Sequence, residues 1–146
     1  MILKFKKLDE RAIIPQRQTK LSAGVDLCAC LESDVVINPS QIVKIPTKLS
    51  VEPSQEKCVL LIFARSGLAV KNGIALANSV GVVDSDYRGE ICVGLINHSN
   101  EPFTVCHGMR IAQLVVMPCE FAQCVEAQDI SETERGEGGF GSTGIM

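Results

Sequence analysis

The hydrophobic and polar positions along the chain repeat with the period of strands. Short runs rich in Val, Ile and Leu are cut at intervals by Gly, Pro, Asn and Ser, and no stretch sustains a 3.6-residue period. The runs predict strands over Ile2–Lys6, Gly24–Cys30, Asp34–Ile37, Ile42–Val51 (bent at Pro46), Lys57–Phe63, Ile74–Ala77 and Val80–Val83. Further strands are predicted over Glu90–Asn97, Phe103–Val105, Arg110–Pro118 and Phe121–Glu126, with one helical turn over Ser66–Val70. The breaks carry turn chemistry: Asn38-Pro39-Ser40, Glu52-Pro53-Ser54, Lys71-Asn72-Gly73, Ser99-Asn100-Glu101-Pro102 and His107-Gly108. Many short strands with regular turns read as an all-β sandwich or barrel.

Composition sharpens that picture. A chain of 146 residues suits one domain, and 46% apolar residues suffice for a core. Val and Ile together number 28 against 10 Ala, which favours strands. Trp is absent, and the rings are one Tyr and five Phe. A core with so few rings needs another source of buried area, and oligomerisation is a common one. The net charge of −3 argues against stable nucleic-acid binding. The early basic residues (Lys4, Lys6, Lys7, Arg11, Arg17, Lys20) read as a solvated edge. The longest uninterrupted apolar run, Val59 to Ala64, is too short for a signal peptide or a membrane span. Seven cysteines show no C-x-x-C pair and no flanking His at zinc spacing, so reduced thiols in a cytoplasmic protein are expected rather than a metal cluster.

Several segments carry chemistry beyond core formation. Arg65-Ser66-Gly67 follows an apolar strand and offers a forked donor, a hydroxyl and an unobstructed N–H, the makings of an anion site. The stretch from Asn78 through Gly81, Val82, Val83, Asp84 and Tyr87 to Glu90 reads as a β-hairpin with two acids flanking one serine. Its backbone can read a pyrimidine edge, and an acid at its shoulder can take a proton from water. Asp26 interrupts an apolar strand start, where it either caps a turn or assists a hydrated cation. Arg110–Val116 reads as one alternating strand whose polar members are Arg110 and Gln113. The final stretch is Gly-rich and follows an acidic one, dividing the chain into a β domain over 1–126 and a linker with a tail over 127–146. Gly136–Gly141 spells G-x-G-x-x-G but follows no strand and opens no helix, so it is not a dinucleotide fingerprint. Its Arg135 suits phosphate and its Phe140 suits stacking on a base, as in a tail that closes over a nucleotide.

Taken in order, five segments resemble the trimeric dUTP diphosphatase (dUTPase) family. They are Ala23-Gly-Val-Asp-Leu27, Arg65-Ser-Gly-Leu68, Gly81-Val-Val-Asp-Ser-Asp-Tyr-Arg-Gly89, Arg110-Ile-Ala-Gln-Leu114 and Arg135-Gly-Glu-Gly-Gly-Phe-Gly-Ser-Thr-Gly144. The resemblance implies a jelly-roll-like β subunit of the β-clip kind and a homotrimer, with each C-terminal tail closing over a neighbouring site. It implies hydrolysis of dUTP to dUMP and pyrophosphate with Mg²⁺, lowering dUTP and supplying dUMP for dTTP synthesis. Asp84 matches the general base. Asn78, the Gly81–Asp84 backbone (Val82 and Val83 included) and Cys92 match the uracil contacts, and Tyr87 the ring beneath the deoxyribose. Arg65, Ser66, Gly67 and Gln113 match phosphate contacts. Arg135, Phe140, Gly141, Ser142 and Thr143 match the tail, and Asp26 an acid that touches the Mg²⁺ waters. Ala64 stands where many members carry Pro or Gly, a departure that predicts no loss of activity. The alternatives are a non-catalytic nucleotide-sensing trimer, which would have lost the base or the tail Arg, and a relative of dCTP deaminase, which would need further polar residues for attack at cytosine.

Overall fold

The structure, a computed structural model, describes residues 1–139. Eleven strands and one short helix are present in that span. In chain order the first five strands are β1 (Leu3–Lys7), β2 (Val25–Cys28), β3 (Val35–Ile37), β4 (Ile42–Pro46) and β5 (Leu49–Pro53). Then come β6 (Cys58–Ala64), helix α1 (Ser66–Asn72), β7 (Ile74–Leu76) and β8 (Gly81–Asp84). The last are β9 (Cys92–Asn97), β10 (Phe103–Val105) and β11 (Arg110–Pro118). Four small antiparallel sheets result, ordered β1-β5, β10-β3, β2-β11-β6-β8 and β4-β9-β7. The all-β expectation therefore holds, and most predicted strands lie within two residues of those observed.

The alternation that marks the sequence is visible in the burial. Along β9, Val93, Leu95 and Asn97 are buried while Cys92, Gly94 and Ile96 are partly exposed, as period-two geometry requires. The core is aliphatic: Leu27, Ile37, Ile45, Leu60, Ile74, Leu95, Val105, Ile111 and Leu114 are essentially sealed. No aromatic ring is buried among the described residues, and Phe5 and Phe103 only pack against the core's edge.

Three expectations are corrected. The segment Ile42–Val51 is two strands in different sheets, β4 beside β9 and β5 beside β1. The break falls after Pro46, at Thr47-Lys48, where Lys48 adopts φ 54°. Thr47 is fully buried there, and its hydroxyl donates to the Ile91 carbonyl at 2.6 Å. The segment Phe121–Glu126 forms no strand, and Phe121 and Val125 are 66% and 74% exposed. An alternating run becomes a strand only beside an edge with free N–H and C=O groups, and this run lies against none. Finally, Asn78–Glu90 is not a paired hairpin. β8 pairs with β6 (Leu60↔Val83, Ile62↔Gly81), whereas β9 pairs with β4 and β7. The chain splays after its turn, because each flank pairs with strands of a different sheet.

Candidate active site

The splayed flanks enclose space between them. Val82, Val83, Asp84, Tyr87 and Cys92 line a cavity of about 450 Å³, together with Lys44, Glu90 and Ile91. A turn closes one end, with the Tyr87 N–H donating to the Asp84 carbonyl at 3.1 Å. Two further bonds stiffen it: Arg88 Nη1 donates to the Ser85 carbonyl at 2.8 Å, and Ser50 Oγ to the Arg88 carbonyl at 2.7 Å. Asp84 is exposed at the lip. Gly81 is buried beneath this wall and does not line it; a Cβ there would lie 3.0 Å from Ile62 Cβ, a contact tight enough that Ile62 on β6 would have to give way by a few tenths of an ångström. Asn78 is exposed and also stands outside the lining.

A second cavity, of about 340 Å³, gathers Asp26, Arg65, Ser66, Gly67 and Gln113 with Gln18, Ser22, Ala23 and Gly24. Its wall depends on an irregularity in β11. Arg110 stands opposite Cys28 and Ala112 opposite Leu27, so β11 carries one residue more than β2 at Ile111. In strict alternation Arg110 and Gln113 would point to opposite faces. The bulge flips the phase, so both share the face of Asp26, which itself pairs with Gln113. The expectation of one alternating strand is thus corrected, and the correction is what assembles the charge cluster. Arg65 Nε forms an ion pair with Asp26 Oδ1 at 3.0 Å, and Arg110 Nη1 donates to Asp26 Oδ2 at 3.2 Å. Arg65 Nη1 also donates to the Arg110 carbonyl at 3.3 Å, and Gln113 Nε2 to the Ala64 carbonyl at 3.0 Å. The side chain of Asp26 is 12% exposed against 28% for Arg65 and 45% for Arg110, so the carboxylate sits beneath two outward-lying cations. α1 starts at Ser66, and the N–H groups of Ser66, Gly67 and Leu68 have no acceptor within the helix.

The two cavities lie at opposite ends of one strand. Asp84 pairs with Val59 near the start of β6, and Arg65 follows that strand's last residue, Ala64. Six residues of extended chain separate them, about 20 Å.

A family model described as dUTPase matches residues 10–144. The chain belongs to the dUTPase family. The deoxyuridine 5'-triphosphate nucleotidohydrolase of Desulfitobacterium hafniense is 51% identical over 141 residues, covering 97% of this chain and 93% of that protein. The protein of the same name from Neisseria meningitidis is 45% identical over 145 residues, covering 98% and 97%. Among solved structures, the dUTPase of Staphylococcus bacteriophage 80alpha, a G164S mutant with dUpNHpp, superposes with a TM-score of 0.87 at 27% identity, covering 99% of each chain.

Within this dUTPase-family fold, the tail is placed only in part. Arg135 lies in a turn in which Gly136 N–H donates to the Thr133 carbonyl at 3.0 Å, and Arg135 Nε donates to the Gly138 carbonyl at 2.9 Å. It lines neither cavity. Phe140, Gly141, Ser142 and Thr143 lie outside the described residues. Sequence reasoning missed Lys44 and Glu90. Lys44 reads as an ordinary outward residue of an alternating strand; only the register of β4 on β9, with Lys44 opposite Gly94 and Pro46 opposite Cys92, brings it to the cavity. Glu90 reads as the end of a motif, with no local signal for its partners. Burial, and next the Glu90 carboxylate, push the Cys92 thiol above its ordinary range, so it is held protonated in the cavity wall. All seven thiols are unpaired.

Proposed function

We propose that the chain hydrolyses dUTP to dUMP and pyrophosphate as a homotrimer. The observation that carries this reading is the division of one nucleotide's needs between two cavities. One has an acid, a ring and a strand backbone; the other has a guanidinium, a hydroxyl, helix-start N–H groups and an amide. The first suits a pyrimidine deoxynucleoside and the second a phosphate chain. A base must stand within hydrogen-bond reach of the water it activates, or one water away. The separation of about 20 Å along β6 supports a site shared between copies, in which a second copy brings its phosphate cluster to the first copy's Asp84. Both curated relatives carry a name for dUTP hydrolysis, and the phage dUTPase was solved with dUpNHpp, which supports the substrate.

In this reading Asp84 accepts a proton from water as the water oxygen bonds to the α-phosphorus, and the bridging oxygen leaves with pyrophosphate. Gly81–Asp84 and the Cys92 backbone read uracil, and Tyr87 packs beneath the sugar. Arg65, Ser66, Gly67 and Gln113 hold phosphates through donors already fixed in place, so little reorganisation is needed as charge moves. Arg135 grips the terminal phosphate and Phe140 stacks on the base. Residues 1–126 are the catalytic domain, and 127–146 the linker and lid. The donor set fits Mg²⁺. Among the described residues no group of three or more His, Cys, Asp or Glu would hold a metal, but Mg²⁺ keeps its waters and takes substrate phosphates as ligands. Asp26 retains lone pairs beyond those given to Arg65 and Arg110, and would accept from such waters. When bound, the ion would neutralise phosphate charge.

The test is to incubate the chain with Mg²⁺ and dUTP, dCTP or dTTP separately, measuring pyrophosphate. Release from dUTP alone is expected. No release from any would overturn the reading.

A further inference from the structure

The ring of Tyr87 is half exposed, yet its position is tightly defined. Its hydroxyl donates to the Glu90 carbonyl at 3.1 Å, three residues on. Between the two residues stands Gly89. A Cβ at Gly89 would lie 2.5 Å from Tyr87 Cζ and 2.9 Å from Cε2, and closer still to the hydroxyl oxygen. No side chain fits there while the ring keeps its place.

The carbonyl that receives the hydroxyl is itself anchored. The Glu90 carboxylate accepts the Lys48 N–H at 3.1 Å and faces Lys48 Nζ at 3.5 Å. The next residue, Ile91, donates its N–H to the Leu49 carbonyl at 2.8 Å and accepts from the Thr47 N–H at 3.2 Å. Glu90-Ile91 is thus stitched on both sides to the buried bend between β4 and β5. That bend is part of the fold's frame, not of a mobile rim: Thr47 and Leu49 are both fully buried.

We infer that Gly89 and Glu90 are positioning residues: Gly89 leaves the room in which the Tyr87 ring lies, Glu90 holds its hydroxyl on the β4–β5 bend, and together they fix the sugar-facing wall of the nucleoside cavity and so the rejection of ribose. This rests on the reading of Tyr87 as the ring beneath the deoxyribose. A ring held by one exposed turn would yield to an added 2′-hydroxyl. A ring backed by a fixed carbonyl cannot, because moving it breaks a hydrogen bond and drives it toward the Gly89 backbone.

The chain contains one Tyr and no Trp, so tyrosine fluorescence reports this ring alone. The experiment compares wild type, Gly89→Ala, Tyr87→Phe, Tyr87→Ala and the Gly89→Ala/Tyr87→Ala double variant. The readouts are the ratio of kcat/KM for dUTP to that for UTP and, where Tyr87 is present, acrylamide quenching of the ligand-free protein. Tyr87→Ala is expected to lower the ratio about a hundredfold and Gly89→Ala about tenfold, mainly by admitting UTP. Tyr87→Phe, which keeps the ring but loses the bond to Glu90, is expected to lower it about threefold. Gly89→Ala should change the quenching, and should lower the ratio no further in the Tyr87→Ala background. If Tyr87→Ala lowers the ratio while Gly89→Ala and Tyr87→Phe both leave it at the wild-type value, the positioning role is overturned and the sugar role of Tyr87 stands. If Gly89→Ala does not fold, Tyr87→Phe alone decides. If Tyr87→Ala leaves the ratio unchanged, the sugar reading fails and the positioning role with it.

Discussion

The Asp26 carboxylate lies 3.0 Å from Arg65 and 3.2 Å from Arg110, one oxygen for each guanidinium, with Asp26 the most buried of the three. It sets the place of both cations before any phosphate arrives. Asp26→Asn keeps the shape, removes the charge and replaces one acceptor oxygen by a donor. The expected cost is about 1–2 kcal/mol of stability, at the low end because both arginines are partly solvated. The expected fall in kcat/KM for dUTP is about tenfold or more. Urea unfolding and steady-state kinetics measure the two; a wild-type kcat/KM would remove Asp26 from the site.

The separation of Asp84 from Arg65 along β6, on the proposed shared-site reading, makes a prediction about mixtures. Asp84→Asn should bind dUTP but lose turnover by a factor of about 10² or more, and Arg65→Gln should be nearly inactive through lost phosphate contact. Unfolded together in equal amounts and refolded, the two should regain about a quarter of wild-type activity, since random assembly pairs an intact Asp84 with a neighbour's intact Arg65 at that frequency. No recovery would mean that the site is not shared between copies.

Gly67 separates fold from function. A Cβ on Gly67 would meet nothing within 4 Å, and the residue lies in the first turn of α1. Gly67→Ala should therefore stabilise the chain by up to about 0.5 kcal/mol through lower unfolded-state entropy. The same methyl group stands where a phosphate would approach the N–H, so kcat/KM for dUTP should fall by about tenfold. Thermal unfolding and kinetics should move in opposite directions; if both improve, Gly67 makes no close contact with substrate.

Four thiols held to their protons by the fold set a limit at alkaline pH. Burial raises Cys28, Cys30 and Cys92 above the ordinary thiol value of 9.0, and a hydrogen bond to Asp34 raises Cys106. Each is bound to its proton more tightly in the folded chain than in the unfolded one. Their contribution to stability is therefore complete below about pH 9 and is lost as pH rises through the higher folded values. The urea midpoint should fall above about pH 9, and Cys28→Val should make that fall shallower. An unchanged pH profile in Cys28→Val would show that this thiol does not contribute to it.

The strands and the chemistry were legible in the sequence to different depths. Period-two alternation located β6, β9 and β11 closely, because each buries one face and the pattern records that burial directly. Partners were not legible. The pattern of Val80–Val83 and Glu90–Asn97 is that of a hairpin, but β8 joins β6 and β9 joins β4, a choice made by distant edges. Arg110 and Gln113 stood out as polar residues, yet their common face depends on a bulge at Ile111 that no residue there announces. Glu90 was invisible for the same reason, since its partner Lys48 is 42 residues away. Phe121–Glu126 had the composition of a strand and lacked only an edge.

One strand, β6, separates Asp84 from Arg65. On the shared-site reading, a lesion at Asp84 and a lesion at Arg65 are not the same kind of defect, although each alone silences the protein. A cell carrying one allele of each would still assemble some intact sites, whereas two different lesions within the Arg65–Asp26–Arg110 cluster would rescue nothing. Alleles of this gene should thus sort into two complementation groups, divided by which end of β6 they strike.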